Sequence, residues 1–160
     1  MSMQGYAWDL EERTEDALVA HIKAACSEVA MVIAARTITK AQYPLVVVEN
    51  KGSANHTDDG EFNGRRVISI EVTIATEAVN QLGESGSAES LRTARAAHRI
   101  IKSSVIGALA GVLVHDELNA LGAEGISFSM CAMGEQTPDQ GDGMITTIQQ
   151  LRVIAQPTEV

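Results

Sequence analysis

VISIEVTIAT, the stretch at residues 67–76, carries the clearest structural pattern in the sequence. Bulky apolar side chains recur at every second position, namely at Ile68, Ile70, Val72 and Ile74. Successive side chains of a β-strand point to opposite faces, so this alternation predicts a strand with one face in a core and the other in water. The rest of the chain must supply a layer that covers the apolar face.

The sequence upstream predicts a second strand and a long helix. The segment at residues 45–49 has the length of a short strand and is rich in β-branched side chains. It follows Tyr43-Pro44, which stops a helix. Asp9 and Glu12 have the spacing of a capping box, so a helix is expected from about Asp9 to about Arg36. Its apolar stripe consists of Leu18, Ile22, Ala25, Cys26, Val29, Val32 and Ile33. The polar residues 50–64 are predicted as a long loop.

Downstream, the pattern predicts a Gly/Ser-rich connection at residues 81–90, a second helix and two further strands. The helix should run from Leu91 to about Asn119, with Gly107 and Gly111 marking a bend or a close approach. Its predicted buried stripe consists of Leu91, Ala94, His98, Ile101, Val105, Ala108 and Val112. A strand is expected at residues 125–130, then a polar loop, EQTPDQGDG, at 135–143. In the last strand, at 144–155, the apolar parity slips between Ile148 and Leu151, which predicts a bulge.

These elements predict an α+β protein with the order α-β-β-α-β-β. We expect two layers, in which a four-stranded, mostly antiparallel sheet carries both long helices on one face. The other face would be open and polar, and the sheet would keep two free edges available to a neighbour. The 160 residues are expected to form a single domain.

Composition excludes some functional classes and favours others. The chain carries 12 basic and 21 acidic residues, for a formal charge of −9, which disfavours a DNA-coating or anionic-membrane-binding role. Aromatic residues make up 3%, too few for a base-stacking platform. No signal peptide is predicted at the N-terminus, and the longest apolar run, residues 105–114, is too short to span a membrane.

The residues that could carry chemistry are few and lack a recognisable arrangement. His56, Asp58, Asp59 and Glu61 could bind a cation or assist hydrolysis, but a solvated acidic loop explains them better. His98 lies on the apolar stripe of the second helix and is expected to be a neutral core histidine. Cys26 is expected to be a buried free thiol, with a Cys26–Cys131 disulfide as the alternative. We therefore expect no enzyme activity, cofactor or metal.

A basic stripe is the strongest candidate for an interaction surface. Spacings of three and four residues place four cations on one face of the second helix: Arg92, Arg95, Arg99 and Lys102. The stripe could dock phosphate or an acidic protein surface, or it could be a solvated face. The acidic opening of the first helix, residues 11–16, could receive the stripe of another copy.

The order of elements, the run Pro44-Leu45-Val46-Val47-Val48 and the strand at residues 67–74 resemble the tail-terminator and related neck proteins of tailed bacteriophages. The resemblance spans residues 10–156 and includes no signature motif. It implies a structural virion protein, present in host cytoplasm during assembly and then in the tail or neck. It further implies a homo-oligomeric ring, commonly a hexamer, that stops tail-tube growth and contacts the tube protein and the head connector.

In such a ring, acidic loops could line the lumen and keep passing DNA from adhering. The candidates are Asp58, Asp59, Glu61, Glu135, Asp139 and Asp142. Other functions stay open: another neck or head-completion protein, a small soluble enzyme with a site near the His56 loop, or a monomeric module that uses the basic stripe.

Overall fold

The computed structural model describes residues 3–37, 39–55, 66–77, 88–112, 126–141 and 143–157. The elements within them are α1 (Met3–Ala25), β1 (Met31–Ala34), β2 (Leu45–Asn55), β3 (Arg66–Glu77), α2 (Ala88–Val112), β4 (Ile126–Gly141) and β5 (Met144–Pro157). The strands form one mixed sheet in the order β1-β2-β3-β5-β4. β1 is parallel to β2, and every other neighbouring pair is antiparallel.

One hydrophobic core lies between the sheet and both helices, as predicted for an α+β protein. Every second residue of β3 from Ile68 to Ile74 is buried in that core, which confirms the alternation pattern. α1 supplies Leu10, Leu18 and Ile22, and α2 supplies Ile101, Val105 and Leu109. α1 contacts β1, β2 and β5, whereas α2 contacts β3, β5 and β4. The helices therefore share one face, with α1 towards the β1 edge and α2 towards the β4 edge.

The prediction of four strands is wrong because the first helix is shorter than expected. α1 ends at Ala25, and the chain turns back through a hydrogen bond from the Val29 amide to the Cys26 carbonyl. Met31–Ala34 then form β1, whose amides reach the Pro44 carbonyl and β2. Val32 and Ala34 are buried under α1, so the residues assigned to a helical stripe pack as a strand instead.

Two predicted loops are partly or mostly strand. The first six residues of the 50–64 segment continue β2, with an irregularity at Gly52, whose φ is 118°. Residues 135–141 continue β4 along β5. The chain reverses before β5, where Gly143 has a φ of 72°. Hydrogen bonding to a long neighbouring strand keeps these polar residues extended.

The prediction of a bulge in the last strand is wrong, because the irregularities lie on β4. β5 pairs with β3 without a shift, whereas β4 contains two irregularities opposite β5, between Phe128 and Met130 and between Met133 and Gln136. The sequence of β5 does not alternate between apolar and polar residues, because two polar residues, Thr147 and Gln149, are buried on the helix-covered face. The alternation of β5 is in fact regular.

The second helix begins close to its predicted start, and its buried side chains match the predicted stripe from Ala94 to Val105. A Cβ atom at Gly107 would meet nothing within 4 Å, so the close approach expected there is wrong. The predicted extension to Asn119, the interior of the 81–90 connection and residues 56–65 lie outside the described residues.

Candidate functional site

The β1 edge is one of two lateral borders of the sheet. The amides of Met31 and Ala35 donate to the carbonyls of Pro44 and Val48 at 3.2 and 2.8 Å. Backbone groups alternate in direction along a strand, so the N–H groups of Val32 and Ala34 point away from β2. No described strand lies on that side, which leaves a short row of donors at the border.

A groove of about 420 Å³ runs beside this edge. It lies between the end of α1, β1 and the segment around Thr37 and Thr39. Lys23 is one of the residues that line it, and the apolar part of the lining includes Val29, Met31 and Ile33. The β1 edge therefore combines backbone donors that no described strand engages with a concave surface of mixed polarity.

Cys26 also borders this groove, with its side chain 2% exposed and its thiol free, as predicted. Burial raises the pKa of the Cys26 thiol, and a hydrogen bond from Ser104 of α2 opposes that rise only in part. The same Ser104 hydroxyl is within hydrogen-bonding reach of Glu28, where donation of its one proton lowers the pKa of the carboxyl group. Ser104 thus ties the turn after α1 to α2.

β4 forms the opposite border and spans 16 residues. Its described side chains from Gly134 to Pro138 are exposed. At the second bulge, the amide nitrogen of buried Gln149 donates to the carbonyls of Gly134 at 3.0 Å and Gln150 at 2.8 Å. A buried side chain therefore fixes the shape of an exposed edge.

The sheet face opposite the helices is only partly polar, which corrects the expectation of a uniformly polar face. Near the β4 bulge it holds a groove of about 520 Å³, whose lining includes Lys51, Glu71, Glu135 and Arg152. The Lys51 ammonium lies 3.3 Å from Glu71 and 3.4 Å from Glu49, and these hydrogen bonds raise the pKa of Lys51. Towards the other end, the same face carries Leu45 and Ala75, both buried.

The basic stripe lies on the solvent side of α2. Arg92, Arg95 and Arg99 are exposed, whereas Lys102 is half-buried. Lys102 lies close enough to His98 to contribute to the lowering of the pKa of that imidazole. The three arginines therefore form an exposed positive surface on the half of the helix layer nearer β4.

The acidic opening of α1 is largely engaged within the chain. Glu15 is 3% exposed, and it accepts a hydrogen bond from Arg36 at 2.9 Å and another from Asn50. Glu11 accepts a hydrogen bond from Ser53, which in turn accepts one from Arg66. Glu12 and Asp16 are exposed, and Asp16 also bonds to Arg36. Only part of the predicted acidic surface faces solvent.

His98 is buried and bonded through both ring nitrogens, which supports its structural interpretation. Nδ1 lies 2.9 Å from the Thr76 hydroxyl, and Nε2 lies 2.9 Å from the Thr147 hydroxyl. Burial lowers the pKa of His98, with the nearby Lys102 charge as a second cause. The imidazole is neutral and links α2 to β3 and β5.

The remaining predicted site residues are not brought together by the described structure. Glu135 is exposed on β4, and the Asp139 backbone pairs with Thr146. His56, Asp58, Asp59, Glu61 and Asp142 lie outside the described residues. Among the side chains that the structure describes, no group of three or more His, Cys, Asp or Glu could hold a metal ion. None of the described helices is both long and apolar enough to cross a membrane.

The β1 edge is the part of the candidate surface that helical spacing does not predict. Residues 29–35 read VAMVIAA, a continuous apolar run wider than a helical stripe requires. A short continuous apolar run is typical of a strand in a parallel pair, and this run is the one sequence feature that indicates β1.

No protein-family model matches the chain, and comparison with curated proteins finds no match.

Proposed function

We propose that this protein is a structural subunit of a tailed bacteriophage, of the tail-terminator or neck type, which works by self-association into a ring. The observation that supports the proposal best is the sheet itself. Both helices cover one face, and the two lateral edges, β1 and β4, are borders with no described strand beyond them.

A ring subunit needs two different surfaces on opposite sides, because a head-to-tail contact joins one surface of each copy to the other surface of the next. β1 and β4 lie at opposite ends of the strand order and differ in length, with 4 and 16 residues. Each can accept backbone hydrogen bonds from an added strand. The sheet therefore offers two non-equivalent surfaces for association.

In the proposed role, the ring stops tail-tube growth and presents a surface to the head connector. Its partners are further copies of this chain, commonly six in all, the tail tube protein and the neck proteins. Viral DNA would pass through the lumen. The acidic balance of the chain, with a formal charge of −9, suits a surface along which DNA moves without adhering.

Negative-stain electron microscopy of the purified protein tests this proposal. We expect annular particles with a central opening. The Arg92→Glu/Arg99→Glu variant serves as a comparison, because loss of particles there, with circular dichroism unchanged, would implicate the helix layer in assembly. Particles of single-subunit size at every accessible concentration, in the unmodified protein, would contradict the proposal.

A further inference from the structure

The two sheet edges differ in charge as well as in length. Around β1, residues 23–40 contain Lys23 and Lys40 against a single acid, Glu28, whereas Arg36 of the same segment is engaged by Glu15 and Asp16. Lys23 and Lys40 are exposed, and Lys23 borders the groove beside the edge. β4 contains Glu135 and Asp139 and no basic residue. One border of the sheet is thus basic and the other acidic.

We infer that the β1 edge of one copy pairs with the β4 edge of the next, so that the sheets continue from subunit to subunit. This inference rests on the proposed function, because it states how the ring is built. The groove along β1 would receive β4 of the neighbour, and the Val32 and Ala34 amides would donate to its carbonyls.

The strand directions permit this pairing. β4 is antiparallel to β5, β5 to β3 and β3 to β2, whereas β1 is parallel to β2. β1 and β4 of one chain therefore run in opposite directions. Neighbours in a ring are related by a rotation about the ring axis, which preserves the direction of strands that run along that axis. The incoming β4 would consequently run antiparallel to β1, with the helices of both copies on the same face.

Charge distinguishes this arrangement from a twofold dimer. Pairing β4 with β4 would bring the Glu135 regions of two copies together, and pairing β1 with β1 would bring the lysines together; like charges across a strand pair are destabilising. Head-to-tail pairing places Lys23 and Lys40 beside the acidic strand.

The helix layer carries a charge asymmetry of the opposite sign. α1 lies towards β1 and exposes Glu12 and Asp16, whereas α2 lies towards β4 and exposes Arg92 and Arg99. When β1 meets the neighbouring β4, α1 of one copy comes to lie beside α2 of the other. The exposed acids of α1 would then face the exposed arginines of α2 across the contact, just as the lysines near β1 would face the acids of β4.

Reciprocal charge reversal tests the inference. Lys23→Glu/Lys40→Glu alters only the β1 side, and Glu135→Lys alters only the β4 side. Each variant alone should raise the concentration at which half of the chains assemble by about tenfold, as expected for loss of one interfacial charge contact. A mixture of the two variants should assemble close to the unmodified level, because each altered side then meets an altered partner. Glu77→Lys, an exposed change at the end of the middle strand β3, is the control and should leave assembly unchanged.

Amide hydrogen exchange on the unmodified protein gives a second measurement that needs no variant. Exchange at the Val32 and Ala34 amides should be slow in the assembled ring and fast in the dissociated chain, whereas the Met31 amide, which donates to the Pro44 carbonyl within one chain, serves as the internal reference. Rings in which the Val32 and Ala34 amides exchange as fast as they do in the dissociated chain would overturn the edge pairing and leave the proposed function standing. Rings that both charge-reversed variants form as readily as the unmodified protein would do the same. A twofold dimer that responds to Glu135→Lys but not to the lysine reversals would overturn both, as would a chain that never assembles.

Discussion

The Nε2 atom of His98 lies 2.9 Å from the hydroxyl oxygen of Thr147, and the opposite nitrogen of the same ring lies 2.9 Å from the hydroxyl of Thr76. A neutral imidazole donates through one nitrogen and accepts through the other, and a threonine hydroxyl can play either part. All three side chains are buried, so this chain of contacts holds α2 against the two central strands, β3 and β5.

Acid should weaken the fold through His98. Its pKa is lowered in the folded protein by burial, whereas the unfolded chain titrates near the ordinary histidine value of about 6.5. Between these two values the unfolded state binds more protons, so the free energy of unfolding falls as the pH is lowered through that window and is constant above it with respect to this group. Urea denaturation at a series of pH values should show a smaller fall for His98→Asn than for the unmodified protein. Equal falls would refute the role assigned to His98.

The buried amide of Gln149 should stabilise the bulge in β4. Gln149→Leu leaves backbone carbonyls at Gly134 and Gln150 without this donor, which should cost about 1–3 kcal/mol in the free energy of unfolding. Gln150→Leu changes the exposed neighbouring side chain and should alter stability by no more than about 0.5 kcal/mol. Chemical denaturation of the pair measures the difference, and equal effects would contradict the buried role.

Glu15 and Glu12 provide a matched test of the polar contacts between α1 and β2. Glu15→Ala removes the acceptor of Arg36 and Asn50 and should cost about 1–3 kcal/mol. Glu12→Ala removes an exposed carboxylate from the same helix, and we expect a change within about 0.5 kcal/mol. Thermal unfolding of both variants measures the difference. A larger loss of stability in Glu12→Ala than in Glu15→Ala would contradict this account.

The Cys26 thiol should react slowly in the folded protein. Its burial and its raised pKa reduce both access and the thiolate fraction, and the thiolate is the reactive form. In a Cys131→Ser background, modification of Cys26 by a thiol reagent should accelerate sharply when urea unfolds the chain. Fast modification under native conditions would show that the residue is more accessible than the structure indicates.

Sequence reasoning was most successful where one face of an element is apolar and the other polar. The alternation at residues 67–76 predicted β3, and helical spacing predicted the buried side of α2 from Ala94 to Val105. In both cases, the local pattern and the tertiary environment agree. His98 was also interpreted correctly, since a lone histidine among apolar residues is most simply a satisfied core side chain.

The errors have a common cause, which is that strand pairing is not visible in local sequence. Residues 29–35 have apolar side chains at both helical and strand spacings, and only the parallel contact of β1 with β2 decides between them. Residues 135–141 resemble a loop in composition, yet they are held by β5. Thr147 and Gln149 obscured the regular alternation of β5, because their burial depends on partners in α2 and β4. The candidate surface at β1 could not be predicted, because the pairing of β1 with β2 is not visible in the local sequence.

The central claim is that the chain assembles head to tail through two different sheet edges, and native mass spectrometry tests it most directly. The protein has a mass of 17.0 kDa. The account predicts one dominant closed species with more than two copies and no open-ended series of sizes. A spectrum containing only the single chain, or only a dimer, would contradict it.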